Sequence, residues 1–251
     1  MRHALLVFAL GCVVTAAPLH AQPHPGVALR WNHCFGEGTG AIVRSFACDT
    51  NAGLEELVGS FALGEDIPES SGLEIVVDVF TGVVQFGLPF PDGPLPEWWK
   101  FVQGGACRRT SLSLSLVANP GDRVCVDWGA GLAVGGVGAY DIGFRGEGSA
   151  RIRAVAAVPQ MNPQALYPGT EYYAFTLRIR HDKTVGTGAC AGCSTPMYLT
   201  FNTIKVTTPT PADDRTLTGP LNGFDSDLAI WQPAVVPTRT TSWGAVKSLF
   251  R

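Results

Sequence analysis

The chain has 251 residues, a formal net charge of −3, and 16% charged side chains against 46% hydrophobic ones. That balance supplies a sizeable core and argues against a nucleic-acid partner, because phosphate binding calls for clustered Lys and Arg. The nearest thing to a basic run is the pair Arg108 and Arg109, and 30 Gly with 18 Pro interrupt the chain too often for long helices.

The N-terminus reads as an export signal: basic Arg2, an apolar run over residues 4–17, then Leu19-His20-Ala21 as a small-residue cleavage site. Residues 1–21 are therefore expected to be removed, leaving a mature chain from about Gln22 outside the cytoplasm, where disulfides persist. The apolar run is too short to span a bilayer, and no later segment replaces it.

From there period-two alternation recurs, the signature of half-buried strands. Val27, Leu29 and Trp31 share one face, as do Leu73, Ile75, Val77 and Val79. Leu112, Leu114 and Leu116 alternate with serines; Ile152, Ala154, Ala156 and Val158 follow the rule, and so do Tyr173, Phe175, Leu177 and Ile179. Between Met197 and Val206 the parity switches, from odd positions (Met197, Leu199, Phe201) to even ones (Ile204, Val206), which predicts a β-bulge or a strand buried on both faces. One short helix is expected over residues 96–102, where Trp98, Phe101 and Val102 follow a proline at helical spacing. With no amphipathic helical segments between the strands, the sheets should be antiparallel. The expected fold is all-β, an antiparallel, jelly-roll-like β-sandwich over residues 22–208. Residues 209–251 read as a linker, a short strand over 228–232 returning to the sheet, and an amphipathic end. In that end Trp243, Val246, Leu249 and Phe250 are candidates for a partner-docking or sorting element.

Of the seven cysteines, Cys12 lies in the signal. Cys34, Cys48, Cys107, Cys125, Cys190 and Cys193 remain as disulfide candidates, with many connectivities open. Their grouping into close pairs suggests 34–48, 107–125 and 190–193. Cys190-Ala-Gly-Cys193 also has the spacing of a thiol-redox motif, but it lies between strands rather than at a helix start, so a pinned hairpin is the simpler expectation. No second Cys/His pair completes a zinc site, no cofactor is called for, and His24, His33 and His181 have no nucleophile motif beside them. His181 is read as a solvated strand end. Asp213, Asp214, Asp225 and Asp227 read as loop acids without the spacing of a calcium motif. Flat rings stack on sugar faces, which makes Trp98, Trp99, Trp128, Tyr172 and Tyr198 carbohydrate-binding candidates, with core packing the competing use.

Arg30-Trp31 with Cys34, the run from Phe46 to Gly53, Trp98-Trp99 before Cys107-Arg108, the Cys190–Cys193 motif and the ending Trp243-Gly-Ala-Val-Lys-Ser-Leu-Phe-Arg251 together resemble a group of uncharacterised secreted proteins from environmental bacteria. That resemblance implies secretion and no particular activity. The run from Glu171 to Ile179 followed by Leu199 to Val206 is similar, at fold level, to cohesin-type jelly rolls. The expectation is a secreted or cell-surface, non-catalytic structural or binding module whose partner is a cell-surface protein or polysaccharide. A carbohydrate-binding module and a secreted thiol-redox protein are the alternatives.

Overall fold

The alternating segments become strands. The structure, a computed structural model, describes residues 24–38, 40–85, 88–90, 93–118 and 124–233. In chain order the strands are β1 (Gly26–Trp31), β2 (Val43–Arg44), β3 (Leu54–Ala62), β4 (Ile67–Ser70), β5 (Gly72–Thr81), β6 (Val83–Gln85), β7 (Leu88–Phe90) and β8 (Leu112–Ser115). They continue with β9 (Val126–Asp127), β10 (Val134–Ile142), β11 (Ser149–Ala157), β12 (Gln164–Leu166), β13 (Glu171–Arg180), β14 (Met197–Thr207), β15 (Arg215–Thr218) and β16 (Leu228–Trp231). The export signal and the amphipathic end, with Trp243, Val246, Leu249 and Phe250, lie outside the described residues.

Two sheets form the sandwich. The first has the order β1-β3-β13-β8, and β9 shares the outer edge of β13 with β8. The second runs β10-β11-β5-β14-β16-β2, with β15 beside β16 along one edge of β14. Pairing is antiparallel except at the ends of each sheet, where β9 runs parallel to β13 and β2 parallel to β16. The inward rows of both sheets interdigitate in one core; Phe175 of β13 meets Phe201 of β14 edge to face, centroids 5.1 Å apart. The shift expected in β14 is a bulge at Asn202, where the register with β5 slips between Phe201 and Thr203. It lets Phe201 and Ile204 both face the core, each fully buried.

Three local expectations change. β1 is buried on both faces, because the 219–226 loop lies along its outer edge: Val27 N–H donates to Gly219 and Leu29 N–H to Ser226. The helix expected over residues 96–102 shrinks to one 3-10 turn, Glu97–Trp99. Past it the chain is drawn back on itself, Arg108 N–H bonding Lys100 O and Val102 N–H bonding Arg109 O, so no second turn can form. Past residue 208 the strand expected to return to the sheet is β16, and β15, which was not expected, joins the second sheet with it.

Candidate functional site

Cys48, Cys107, Cys190, Cys193, Trp98, Trp231, Arg108 and His181 converge past the end of β13, where three loops meet. Cys190-Ala-Gly-Cys193 is a tight turn after β13, with Gly192 at φ 94°. Its two cysteines point to different partners: Cys190 bonds Cys107, and Cys193 bonds Cys48. The third disulfide joins Cys34 to Cys125. The pairing by sequence proximity is therefore corrected at every position. Connections that cross between sheets carry sequence neighbours apart and bring residues 83, 91 and 145 positions distant to Cα separations of 6.0–6.1 Å. A 190–193 redox couple does not exist in this arrangement.

Around this turn the indole rings pack on each other. Trp98 stacks on Trp231 at 5.1 Å, Trp99 meets both edge-on, and Trp31 and Phe46 close against Trp231 at 6.0 Å. Trp98, Trp99 and Trp128 are at most 1% exposed, Tyr172 3% and Tyr198 8%. None of the five offers a free face to a sugar ring, which removes the basis for carbohydrate recognition through them. Their hydrogen bonds are internal where formed: Trp98 Nε1 donates to Thr184 Oγ1 at 3.0 Å, and the Tyr172 hydroxyl accepts from Tyr167 N–H at 2.7 Å.

Two buried arginines act as internal cations. Arg108 lies over Trp98, its Cζ 3.4 Å from the ring centroid. It donates to the carbonyls of Trp98 (2.7 Å), Asp182 (3.0 Å) and Arg180. Burial draws its pKa down to about 9, still above neutrality, so the cation persists. Arg30 gathers the carbonyls of Leu29 (2.8 Å) and Ser226 (2.9 Å), with those of Asp225 and Leu228 at 3.5 Å. The loop holding Asp225 and Asp227 thus already encloses a positive charge. Burial is also what raises the Asp227 carboxyl above its ordinary value, with Asp225 adding to the effect and Arg30 opposing it.

His181 is a correction to the sequence reading: it is 6% exposed, not solvated. Its Nδ1 faces Ala52 O at 2.7 Å and its Nε2 faces Glu55 at 3.1 Å, while Phe46 stacks on the ring at 3.7 Å. Glu55 in turn receives Arg44. His33 binds Glu37 at 2.6 Å. Cys34, Cys125 and Glu171 lie close enough to suggest a metal cluster, but the two sulfurs are bonded to each other and the carboxylate already accepts from Phe35 N–H, Gly36 N–H and Ser60 Oγ. These donors do not fit a metal ion.

An open groove of about 560 Å³ occupies the surface between β4 and the segment joining β14 to β15. Asp66, Glu69, Thr208, Asp213 and Arg215 line it, and Arg215 is held by Glu65. Sequence reasoning gave Arg108 no role and took His181 for a solvated strand end. The signal for the first was its place next to Cys107 and shortly after two tryptophans; for the second nothing local marked it.

The fold and these contacts define an all-β protein of two packed sheets cross-linked by three disulfides. No protein-family model, curated protein or solved structure matches the chain. Three disulfides, with no helix among the described residues long and apolar enough to cross a membrane, are compatible with a disulfide-stabilised module outside the cytoplasm.

Proposed function

We propose that the protein is an exported, non-catalytic module that works as a rigid scaffold or binding surface in an oxidising compartment. The observation that carries this reading is the use of Cys190 and Cys193 as two separate anchors, one to Cys107 and one to Cys48. Long-range cross-links of this kind stabilise by restricting the unfolded chain, by about 4–5 kcal/mol each on the loop-entropy account. They serve a fold that must persist without cellular upkeep. The groups singled out in the sequence for redox or ligand chemistry are already engaged: the sulfurs in disulfides, the His181 ring between Ala52 and Glu55, the indoles in the core.

The test is to express the full chain with and without residues 1–21 and to trap thiols by alkylation before lysis. The exported form should carry no alkylated cysteine, and the form retained in the cytoplasm should be reduced and readily degraded. An exported form with Cys190 and Cys193 alkylated, and able to reduce insulin disulfides catalytically, would overturn the reading in favour of thiol-redox function.

A further inference from the structure

Among the described residues, the second sheet ends at β10, whose outer edge pairs with no further strand. A sheet edge presents unpaired N–H and C=O groups, and proteins normally blunt it with short strands, Lys, Pro, a β-bulge or a covering loop. The other edges here are blunted in that way. β1 is covered by the 219–226 loop, β2 has two residues, and β8 has four. β10 has nine residues, Val-Gly-Gly-Val-Gly-Ala-Tyr-Asp-Ile, with no Lys or Pro, and its one blunting device is a bulge at Gly138, which only a strand with the same bulge can match. Its one charge, Asp141, is already paired with Arg153 of the neighbouring β11. Val134 is 69% exposed and Val155, beside it on β11, 54%.

Hydrogen-bond parity identifies the groups on the free side. Gly143 N–H donates to Ser149 O, so residue 143 faces β11. Alternation then turns 141 and 139 toward β11 as well, and 140 and 142 away from it. The register slips at Gly138, between Val137 and Ala139. Beyond the slip, Gly135 and Val137 become the outward positions. Gln103 confirms the assignment by donating from its side chain to Tyr140 O at 2.6 Å, the one outward group with a partner among the described residues.

The outward set 135, 137, 140, 142 is symmetric about the midpoint of Gly138 and Ala139. A regular foreign strand offers groups at every second residue and mismatches the three-residue gap between 137 and 140. A strand with the same bulge matches it when run antiparallel. We propose that β10 is a homotypic dimerisation edge, pairing antiparallel with β10 of a second copy so that Val137 meets Tyr140, Gly135 meets Ile142, and the two sheets become one continuous sheet. In this register Asp141 lies opposite Gly136 of the second copy. The two Asp141 carboxylates are five positions apart along the strand, about 16 Å, so no like charges oppose. The exposed Gln103 side chain gives up Tyr140 O to the N–H of Val137 from the second copy.

Sedimentation velocity of the oxidised mature chain over a wide concentration range tests this, with two substitutions at Gly136. A Cβ there meets no heavy atom within 4 Å, so both variants keep the fold. Gly136→Glu sets a carboxylate against Asp141 of the second copy and should weaken the dimer at least tenfold. Gly136→Lys sets an ammonium there and should leave dimerisation equal or stronger. Amide exchange at Gly135, Val137 and Ile142 should slow as the dimer fills. A chain that stays monomeric at every concentration, or a dimer that responds alike to both substitutions, overturns the proposal.

Discussion

The guanidinium of Arg108 lies over the ring of Trp98, its Cζ 3.4 Å from the centroid, while its Nη1 donates at 2.7 Å to the carbonyl of the same residue. One side chain is thereby both the cation on the indole face and the partner of the backbone turn that positions the indole. Because Cys107 precedes it and bonds Cys190, this contact and the disulfide fix the same loop against β13.

Replacing Arg108 with Met removes the donor to three carbonyls, that of Trp98 buried and those of Asp182 and Arg180 partly so. Each unmade bond of this kind costs about 1–3 kcal/mol, so Arg108→Met should lose about 3 kcal/mol or more in urea unfolding. Its neighbour Arg109 is exposed, and Arg109→Ala should change stability by less than about 0.5 kcal/mol. Equal effects at the two positions would contradict the role assigned to Arg108.

Gly59 in β3 sits under the ring of Phe175, where any added Cβ would collide with that fully buried side chain. Gly59→Ala should destabilise by about 1–3 kcal/mol through overpacking, although alanine is otherwise the better residue for restricting the unfolded chain. Smaller Phe175 variants should recover part of the loss in a double-mutant cycle. Additive effects would show that the two positions do not compete for space.

Asp227 has its carboxyl pKa raised, mainly by burial. The folded state therefore binds its proton more tightly than the unfolded state does. The sign follows: this group opposes folding when ionised, and the penalty disappears as pH falls through the raised pKa toward the unfolded value. Asp227→Asn should raise the melting temperature at pH 7, and the advantage over the parent should shrink on acidification to pH 3. A gain that persists unchanged at pH 3 would assign the effect to something other than the charge.

What was legible in the sequence was local. Side chains alternate across a strand whatever lies on either side, so β5, β11 and β13 were visible as rows of Val, Ile, Leu and Phe. The parity switch after Phe201 marked the bulge at Asn202. Partners set by tertiary closure were not visible. Cys34 and Cys48 are near in sequence, but the chain between them leaves β1 for the second sheet, so each meets a cysteine from far away. Arg108 and Arg109 are indistinguishable as residue types, and only the fold buries one. The indoles of Trp98 and Trp128 suit a sugar face or a core as residue types; the loops converging on the Cys190–Cys193 turn bury the first, and the core takes the second. β10 had no alternating pattern to mark it, and its place as an open edge depends on where the sheet ends.

The measurement closest to the central claim is a tryptic digest of the oxidised protein under non-reducing conditions, read by mass spectrometry. Cys190 and Cys193 share the peptide 184–205. The structure predicts that this peptide is held to both 45–100 and 101–108 in one three-peptide species, with 31–44 joined to 124–145 in another. A free 184–205 peptide containing its own internal disulfide, together with 31–44 joined to 45–100, would contradict the cross-linked scaffold and the function proposed from it.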